Sequence, residues 1–297
     1  MFSIITPTYN RAHTLDRVFN SLLNQSFKDF TWIVVDDGSS DNTKDLIEEW
    51  QTKYSLINIE YYILKKNKGK PYAVNFGIEK ATENYTIIAD SDDTFYPNTL
   101  EYLKNIWQSF TKEMTLEISA IWSLVENENH EIKGDKFPKD PWQVNFKQRV
   151  LDIKKPLDGD KWHCWRTEVL KKHPLFYDEK CHVGESHTWN AINKQYDFYC
   201  INKVFLTVFN SEVSLMNSKK PKLLVARAAY LSSFYGLKDV SLFEMVKFKY
   251  YRYLSFMYIK SSFNYSSNKL KLSFIKKFLS YIIFIFSIPL RVKNRFS

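Results

Sequence analysis

Glycine and proline are scarce in this 297-residue sequence, 7 and 9 in all, which excludes long low-complexity linkers and collagen-like repeats. Cysteine is scarcer still. Cys164, Cys181 and Cys200 are odd in number and lack C-x-x-C spacing, so they read as reduced thiols of a cytosolic protein. No uncharged apolar run reaches the ~20 residues that a spanning helix needs. No secretory leader is read ahead of the fold, because Phe2–Thr6 already has strand character; the amino-terminal part is therefore expected in the cytoplasm. Gly-rich phosphate loops, G-x-S-x-G turns and H-E-x-x-H pairs are missing too. Their absence removes the commonest nucleotide-hydrolysing, serine-hydrolase and zinc-protease readings.

What is present is an ordinary core-forming composition, 44% hydrophobic and 25% charged, with a high aromatic share of 17%. The net charge of +9 is unevenly spread. Residues 219–297 hold 16 Lys/Arg against 2 Asp/Glu, leaving 26 against 31 in residues 1–218. A mildly acidic globule followed by a basic tail points to an anionic partner for the tail.

The first hundred residues alternate strand and helix. Strands are predicted at Phe2–Thr6, Thr31–Asp36, Ile57–Leu64 and Tyr85–Ala89. Helices fall between them at Thr14–Asn24, from Ser40 or Asp41 to Trp50, and at Pro71–Ala81. This order implies an α/β fold, a mostly parallel sheet with helices on both faces. Further on, Glu117–Val125 and Lys161–Arg166 read as strands and Glu185–Gln195 as a helix. Beyond Pro221 the pattern is helical, at Leu223–Tyr235, Leu242–Ser261 and Leu270–Ile288.

Ligands of such sheets bind beyond the carboxyl ends of the strands. Polar residues cluster there: Thr6-Pro7-Thr8-Tyr9-Asn10, Asp36-Asp37-Gly38-Ser39 and Asp90-Ser91-Asp92-Asp93. Three carboxylates within four residues repel one another unless a cation or solvent neutralises them. Hard oxygen ligands suit Mg²⁺ or Mn²⁺ shared with a diphosphate; the alternative is a solvated acidic turn. Asp36-Asp37-Gly38-Ser39 suits a base or ribose contact, or else is a turn with a helix cap.

The ordered series Ile4-Ile5-Thr6-Pro7-Thr8-Tyr9-Asn10-Arg11, Val34-Val35-Asp36-Asp37-Gly38-Ser39, Asn67-Lys68-Gly69 with Asn75-Phe76-Gly77, and Asp90-Ser91-Asp92-Asp93 resembles the family 2 glycosyltransferases of GT-A fold. The resemblance covers residues 2–105 closely and extends loosely to about 210. It implies a GT-A domain over 1–218, with a nucleotide-binding half (1–105) and an acceptor half (106–218), followed by a helical region over 219–297. It also implies an inverting enzyme, a nucleotide-diphosphate sugar donor (UDP foremost), and a divalent metal. Matched by position, Thr6, Pro7 and Tyr9 frame the nucleoside, Asp36 reaches the base, and Lys70 meets base or phosphate. Asp90 and Ser91 line the donor, Asp90 and Asp92 hold the metal, and Asp93 shares the site or caps the turn. Lys70 has the alternative of a solvated lysine.

Members of this family usually place a base before a helix in the second half. Here that stretch is His182-Val183-Gly184-Glu185-Ser186-His187, where Glu-Ser stands in place of the frequent Glu-Asp. Glu185 is the leading base, an acidic helix-start residue its alternative, and Asp178 the runner-up. Trp162, within Gly159–Arg166, is expected either to stack on a sugar or to be buried. A zinc site from His163, His182 and His187 lacks the usual spacing.

The tail interleaves aromatic and basic residues over 241–262. It then carries an uncharged apolar stretch, Phe278–Leu290, between Lys276-Lys277 and Arg291, Lys293, Arg295. It is too short to span a membrane and suits insertion at an anionic surface, so the protein is expected to be peripheral on the inner face of the plasma membrane. The alternative is a helix packed on the core. No nucleic-acid module accompanies it. The acceptor expected from the resemblance and the tail is a lipid-linked or surface glycan, as in capsule, O-antigen or lipooligosaccharide assembly. A non-catalytic glycan-binding scaffold and a nucleotidyltransferase are the rival classes.

Overall fold

The computed structural model describes residues 1–181, 183–209 and 221–293. The chain divides into two compact units, the first made of 1–146, 155–175 and 190–217, the second of 147–154, 176–189 and 218–297.

The first unit holds the entire sheet. Its elements begin with β1 (Phe2–Thr8), α1 (Ala12–Leu23), β2 (Phe30–Asp36), α2 (Thr43–Lys53), β3 (Asn58–Ile63), α3 (Lys70–Lys80) and β4 (Tyr85–Ile88). Then come β5 (Thr94–Phe95), α4 (Thr99–Ser109), α5 (Lys112–Glu117), β6 (Ile118–Asn127), β7 (Trp142–Val144), β8 (Lys161–Arg166), α6 (Thr167–Lys172) and β9 (Asp197–Val208). The strand order is β3-β2-β1-β4-β8-β6-β9-β5, with β7 on β9. Pairing is parallel from β3 to β4 and between β6 and β9, and antiparallel where β8 enters.

β1 and β2 are buried at every position, as expected of parallel strands covered on both faces. On one face Ile4, Trp32, Val34 and Ile87 share a core with Leu15 and Val18 of α1, Ile47 of α2 and Leu103 of α4. On the other, α3 lies so close that a Cβ on Gly77 would sit 2.4 Å from Ile5 Cγ2 and 3.3 Å from Val35 Cγ2. This contact explains the glycine of the Asn75-Phe76-Gly77 stretch.

Several elements were not predicted from the sequence, the longest being β9 and α4. β9 carries Asn202-Lys203 in its middle, where its register on β6 slips between Cys200 and Val204. That bulge breaks the alternation that marks a strand. α4 buries Leu100, Leu103 and Trp107 at helical spacing, a legible pattern next to the conspicuous acidic turn.

In the second unit, α8 (Lys222–Leu237), α9 (Leu242–Lys247), α10 (Lys249–Ser262) and α11 (Phe274–Lys293) accompany a short π-helix at Lys147–Leu151. α7 (Ser186–Asn193) starts in this unit and ends in the first. Tyr230 of α8 stacks on Tyr258 of α10 at 4.7 Å, with their hydroxyls 3.0 Å apart. The single helix predicted over Leu242–Ser261 is broken at Phe248, whose backbone is extended. Arg252 donates to the carbonyls of Val246 and Lys247, satisfying the end of α9.

Candidate active site

Because β1, β2, β3 and β4 are parallel neighbours, the turns that follow them meet at one sheet edge. The first two turns are stitched together. Asn10, in the left-handed region at φ 53, donates its N–H to Ser39 Oγ at 2.8 Å, and its Oδ1 accepts Ser40 N–H at 2.8 Å. Asp41 accepts the N–H of Ala12 at 3.0 Å and caps α2 through Thr43. Gly38 has φ 81, and a Cβ there would press on the Lys66 backbone at 3.1 Å.

Asp36 and Asp37 have different tasks. Asp36 Oδ1 accepts Ser39 N–H at 2.7 Å and its Oδ2 accepts the Tyr61 hydroxyl at 2.7 Å; burial and this bond raise the Tyr61 phenol. Asp37 accepts the N–H groups of Lys68 and Gly69 at 2.8 and 2.6 Å, anchoring the entry to α3. Burial raises the Asp37 carboxyl against the pull of those two donors. Its anchoring role was not read from the sequence.

Lys70, the first residue of α3, places its ammonium 2.7 and 2.9 Å from the two oxygens of Asp90. The structure thus brings together two of the sequence-nominated residues as an ion pair. Asp92 is half-buried; burial, then the Asp90 charge, raise its carboxyl, while Arg11 pulls the other way. Asp93 is buried, and burial with the charges of Asp90 and Asp92 raises it well above the ordinary range. Ser91 is buried between them. This crowding of like charge beside one lysine fits a divalent cation. Among the described residues no group of three or more His, Cys, Asp or Glu is arranged to hold a metal. Two carboxylates at most would ligate it, the rest coming from diphosphate and water, as Mg²⁺ commonly allows.

One nomination is corrected, and two open alternatives are decided. Thr6 is fully enclosed, and its hydroxyl accepts Trp32 Nε1–H at 2.9 Å, so its side chain braces β1 on β2 rather than facing a nucleoside. Trp162 is buried, donates to the Ile88 carbonyl at 3.1 Å and packs edgewise on Phe205, which makes it a core residue and not a sugar platform. The zinc alternative loses its members: His163 packs on Trp122 and His187 bonds Ser232 Oγ at 2.6 Å, while His182 lies outside the described residues. Pro7 is buried in β1, and Tyr9 is exposed at its end.

Glu185 is half-buried just before α7, and its carbonyl accepts Trp189 N–H at 3.1 Å. Asp178 is otherwise engaged. Arg227 grips both its oxygens at 3.0 and 2.6 Å, and Lys180 and Cys181 donate backbone N–H groups to it. Burial would raise this carboxyl, but those donors outweigh it and hold it below the usual range. Asn75, also unforeseen, exchanges two hydrogen bonds with the Leu175 backbone, at 2.8 and 2.7 Å, fixing the last residue before the chain passes to the second unit.

The sequence profile described as Glycosyl transferase family 2 matches residues 3–166, more than half of the chain and all of the turns above. The chain belongs to glycosyl transferase family 2. Among curated members, it is 28% identical over 188 residues to the minor teichoic acid biosynthesis protein GgaB of Bacillus subtilis, covering 62% of this chain and 20% of that one. It is 26% identical over 209 residues to the Campylobacter jejuni GalNAc(5)-diNAcBac-PP-undecaprenol beta-1,3-glucosyltransferase, covering 68% and 62%. The chain therefore spans less than two thirds of either relative. Solved family-like folds include S. aureus TarS 1–349 in complex with UDP-GlcNAc, with a TM-score of 0.63, 18% identity and coverage of 95% and 79%. Another is the mannosyltransferase PcManGT of Pyrobaculum calidifontis in complex with GDP-Man and Mn²⁺, at TM-score 0.57, 17% identity and coverage of 99% and 83%. The central sheet with flanking helices is thus the GT-A fold.

Proposed function

We propose that the chain is an inverting glycosyltransferase that moves a sugar from a nucleotide-diphosphate donor, UDP foremost, to a hydroxyl of a lipid-linked or surface glycan. The observation that carries the reading is the acidic turn Asp90–Asp93 at the end of β4, paired through Asp90 to Lys70. Family membership, the teichoic acid and undecaprenol-linked names of the relatives, and the nucleotide-sugar complexes of the fold neighbours support it.

In this reading Asp92, with Asp90, would hold Mg²⁺ or Mn²⁺. The cation would neutralise charge on the departing nucleotide. Lys70 turns from Asp90 toward the phosphates, Tyr9 borders the nucleoside and Asp36 accepts from its base. The acceptor oxygen bonds the anomeric carbon as the carbon–oxygen bond to the diphosphate breaks, and the electron pair leaves with the nucleotide. Glu185 takes the hydroxyl proton. The grip of Arg227 on Asp178 favours Glu185 over that runner-up.

The second unit supports a membrane-surface location. Among the described residues no helix is long and apolar enough to cross a membrane. α11 is apolar on two faces. Ile283 is buried and Phe284 stacks on Phe256 of α10, while Phe274, Ile275, Phe278, Ile285 and Phe286 are exposed, Phe286 to 75%. The exposed stripe with Lys277 suits an anionic interface. Lys276 is not available for that purpose, because its ammonium donates to the carbonyls of Leu237 and Lys238 at the end of α8.

Calorimetric titration with nucleotide diphosphates, with and without Mn²⁺, tests the donor assignment. Metal-dependent binding that Asp92→Asn weakens at least tenfold is expected; equal binding by parent and variant in Mn²⁺ would remove the assignment.

A further inference from the structure

A second site lies wholly within the first unit, on the side of the sheet edge formed by β9 and β5. It is a cleft of about 680 Å³, inside the ~300–1,000 Å³ range of small-ligand sites. Its walls come from Tyr96 after β5, Asn98 and Tyr102 at the start of α4, Asp140 before β7, and Tyr199 and Lys203 of β9.

The lining chemistry is that of a polyhydroxylated ring. Three tyrosines offer apolar faces for C–H surfaces and phenols for hydroxyls. Tyr102 is 38% exposed, and the Lys203 ammonium sits over its ring at 4.7 Å. The Tyr199 phenol is raised by burial and by the closeness of Tyr102 and Asp140, so it remains a donor at neutral pH. Asn98 occupies the N-cap position of α4, yet its side chain makes no capping bond, leaving amide donors and an acceptor for a ligand. One ammonium and one carboxylate balance each other, which suits a neutral sugar rather than a phosphate.

The walls are fixed in advance. The Tyr96 hydroxyl donates to Glu126 Oε1 at 2.6 Å, and the same oxygen meets Thr207 at 3.2 Å and His130 Nδ1 at 2.6 Å. Asn202 exchanges two hydrogen bonds with the Phe137 backbone, its Oδ1 accepting the Phe137 N–H at 2.8 Å and its Nδ2 donating to the carbonyl at 3.0 Å. Its own N–H reaches Asp140 Oδ1 at 3.1 Å, pinning the loop to β9. Such preorganisation lowers the ordering cost of a weak ligand. Tyr96 follows Asp93 by three residues, so its Cα lies within about 10 Å of the end of the acidic turn.

We propose that this cleft is a carbohydrate subsite, separate from the donor site, that holds a neutral sugar unit of the acceptor glycan away from its reacting hydroxyl. The acceptor role rests on the glycosyltransferase reading, whereas sugar binding by the cleft does not. The full chain is titrated with chitotriose, cellotriose and maltotriose, with polyglycerol phosphate as an anionic comparison, and followed by saturation-transfer and amide-shift NMR. At least one neutral trisaccharide is expected to bind in the millimolar range, and polyglycerol phosphate is not. Asn98→Ala with Tyr102→Ala should weaken binding at least fivefold while UDP binding and Tm hold. Lys203→Ala, on β9, is the second variant should the first lose stability. Absence of binding by all three sugars, or undiminished binding in folded variants, overturns the subsite. Failure of the parent to bind any nucleotide diphosphate would instead sink the transferase reading and leave trisaccharide binding standing.

Discussion

Asp93 is the residue at which burial and charge are most opposed. A carboxyl raised in the folded state binds its proton more tightly there than in the unfolded chain. Its contribution to stability is therefore greatest at low pH and falls as pH rises from the ordinary carboxylate range through the raised values of Asp92 and Asp93. Asp93→Asn should flatten that decline in denaturation curves taken between pH 4 and 7. At neutral pH it should raise Tm by ~2–4 °C, the shift that about 1 kcal/mol produces in a protein of this class. A lower Tm would show that the carboxylate is already compensated. Glu185 and Asp178 separate in the same way. Glu185→Gln should lower transfer by about 10² or more with Tm and donor binding intact. Asp178→Asn should cost about 1–3 kcal/mol in urea unfolding, because Arg227 loses a bidentate partner. Transfer that survives Glu185→Gln and vanishes in a stable Asp178→Asn protein would reverse the assignment.

Among the elements, α3 is positioned from two sides. Asp37 fixes its entry through two backbone N–H groups, and Gly77 lets its middle approach β1. Lys70 stands on its first turn, so the accuracy of the Lys70–Asp90 pair depends on both. Gly77→Ala forces a 2.4 Å contact with a strand side chain that is itself packed, and should cost about 1–3 kcal/mol. Nucleotide affinity should fall with it. Thermal unfolding alongside UDP titration checks this, and an unaltered Tm would mean that α3 can shift outward freely. Gly38 differs: its φ of 81 is a turn requirement, and it serves the Asp36–Ser39 bond rather than helix packing.

At the scale of the whole molecule, the basic carboxyl-terminal region has a separate face for each of the two roles that its sequence left open. α11 has an inner face on α9 and α10 and an outer apolar stripe. Phe278→Ser with Ile285→Ser alters only the stripe. It should release the protein from anionic liposomes in co-sedimentation while Tm stays within a degree or so of the parent, since exposed substitutions usually change stability by less than about 0.5 kcal/mol. Truncation before Phe274 should lower Tm as well, because Phe256 of α10 loses its stacking partner Phe284 and the burial of Ile283 is lost. A double variant that still sediments with liposomes would remove the interfacial reading.

Family membership and most of the sheet were legible in the sequence because they depend on short-range signals. Buried strands show as apolar runs, helices as apolar spacing, and the acidic turn as carboxylates closing a strand. Tertiary structure alone decided what each side chain serves. Thr6 belongs to Trp32 because two parallel strands set their faces together; Asp37 belongs to α3 because a loop from the next crossover returns to it. Likewise Asp178 is engaged by Arg227, 49 positions away in the chain. The cleft beside β9 had no signal in the sequence, since its walls come from three separate segments and its strand is interrupted by a bulge. Periodicity reports what a residue needs from its own element, whereas a site is made of residues that distant elements bring together.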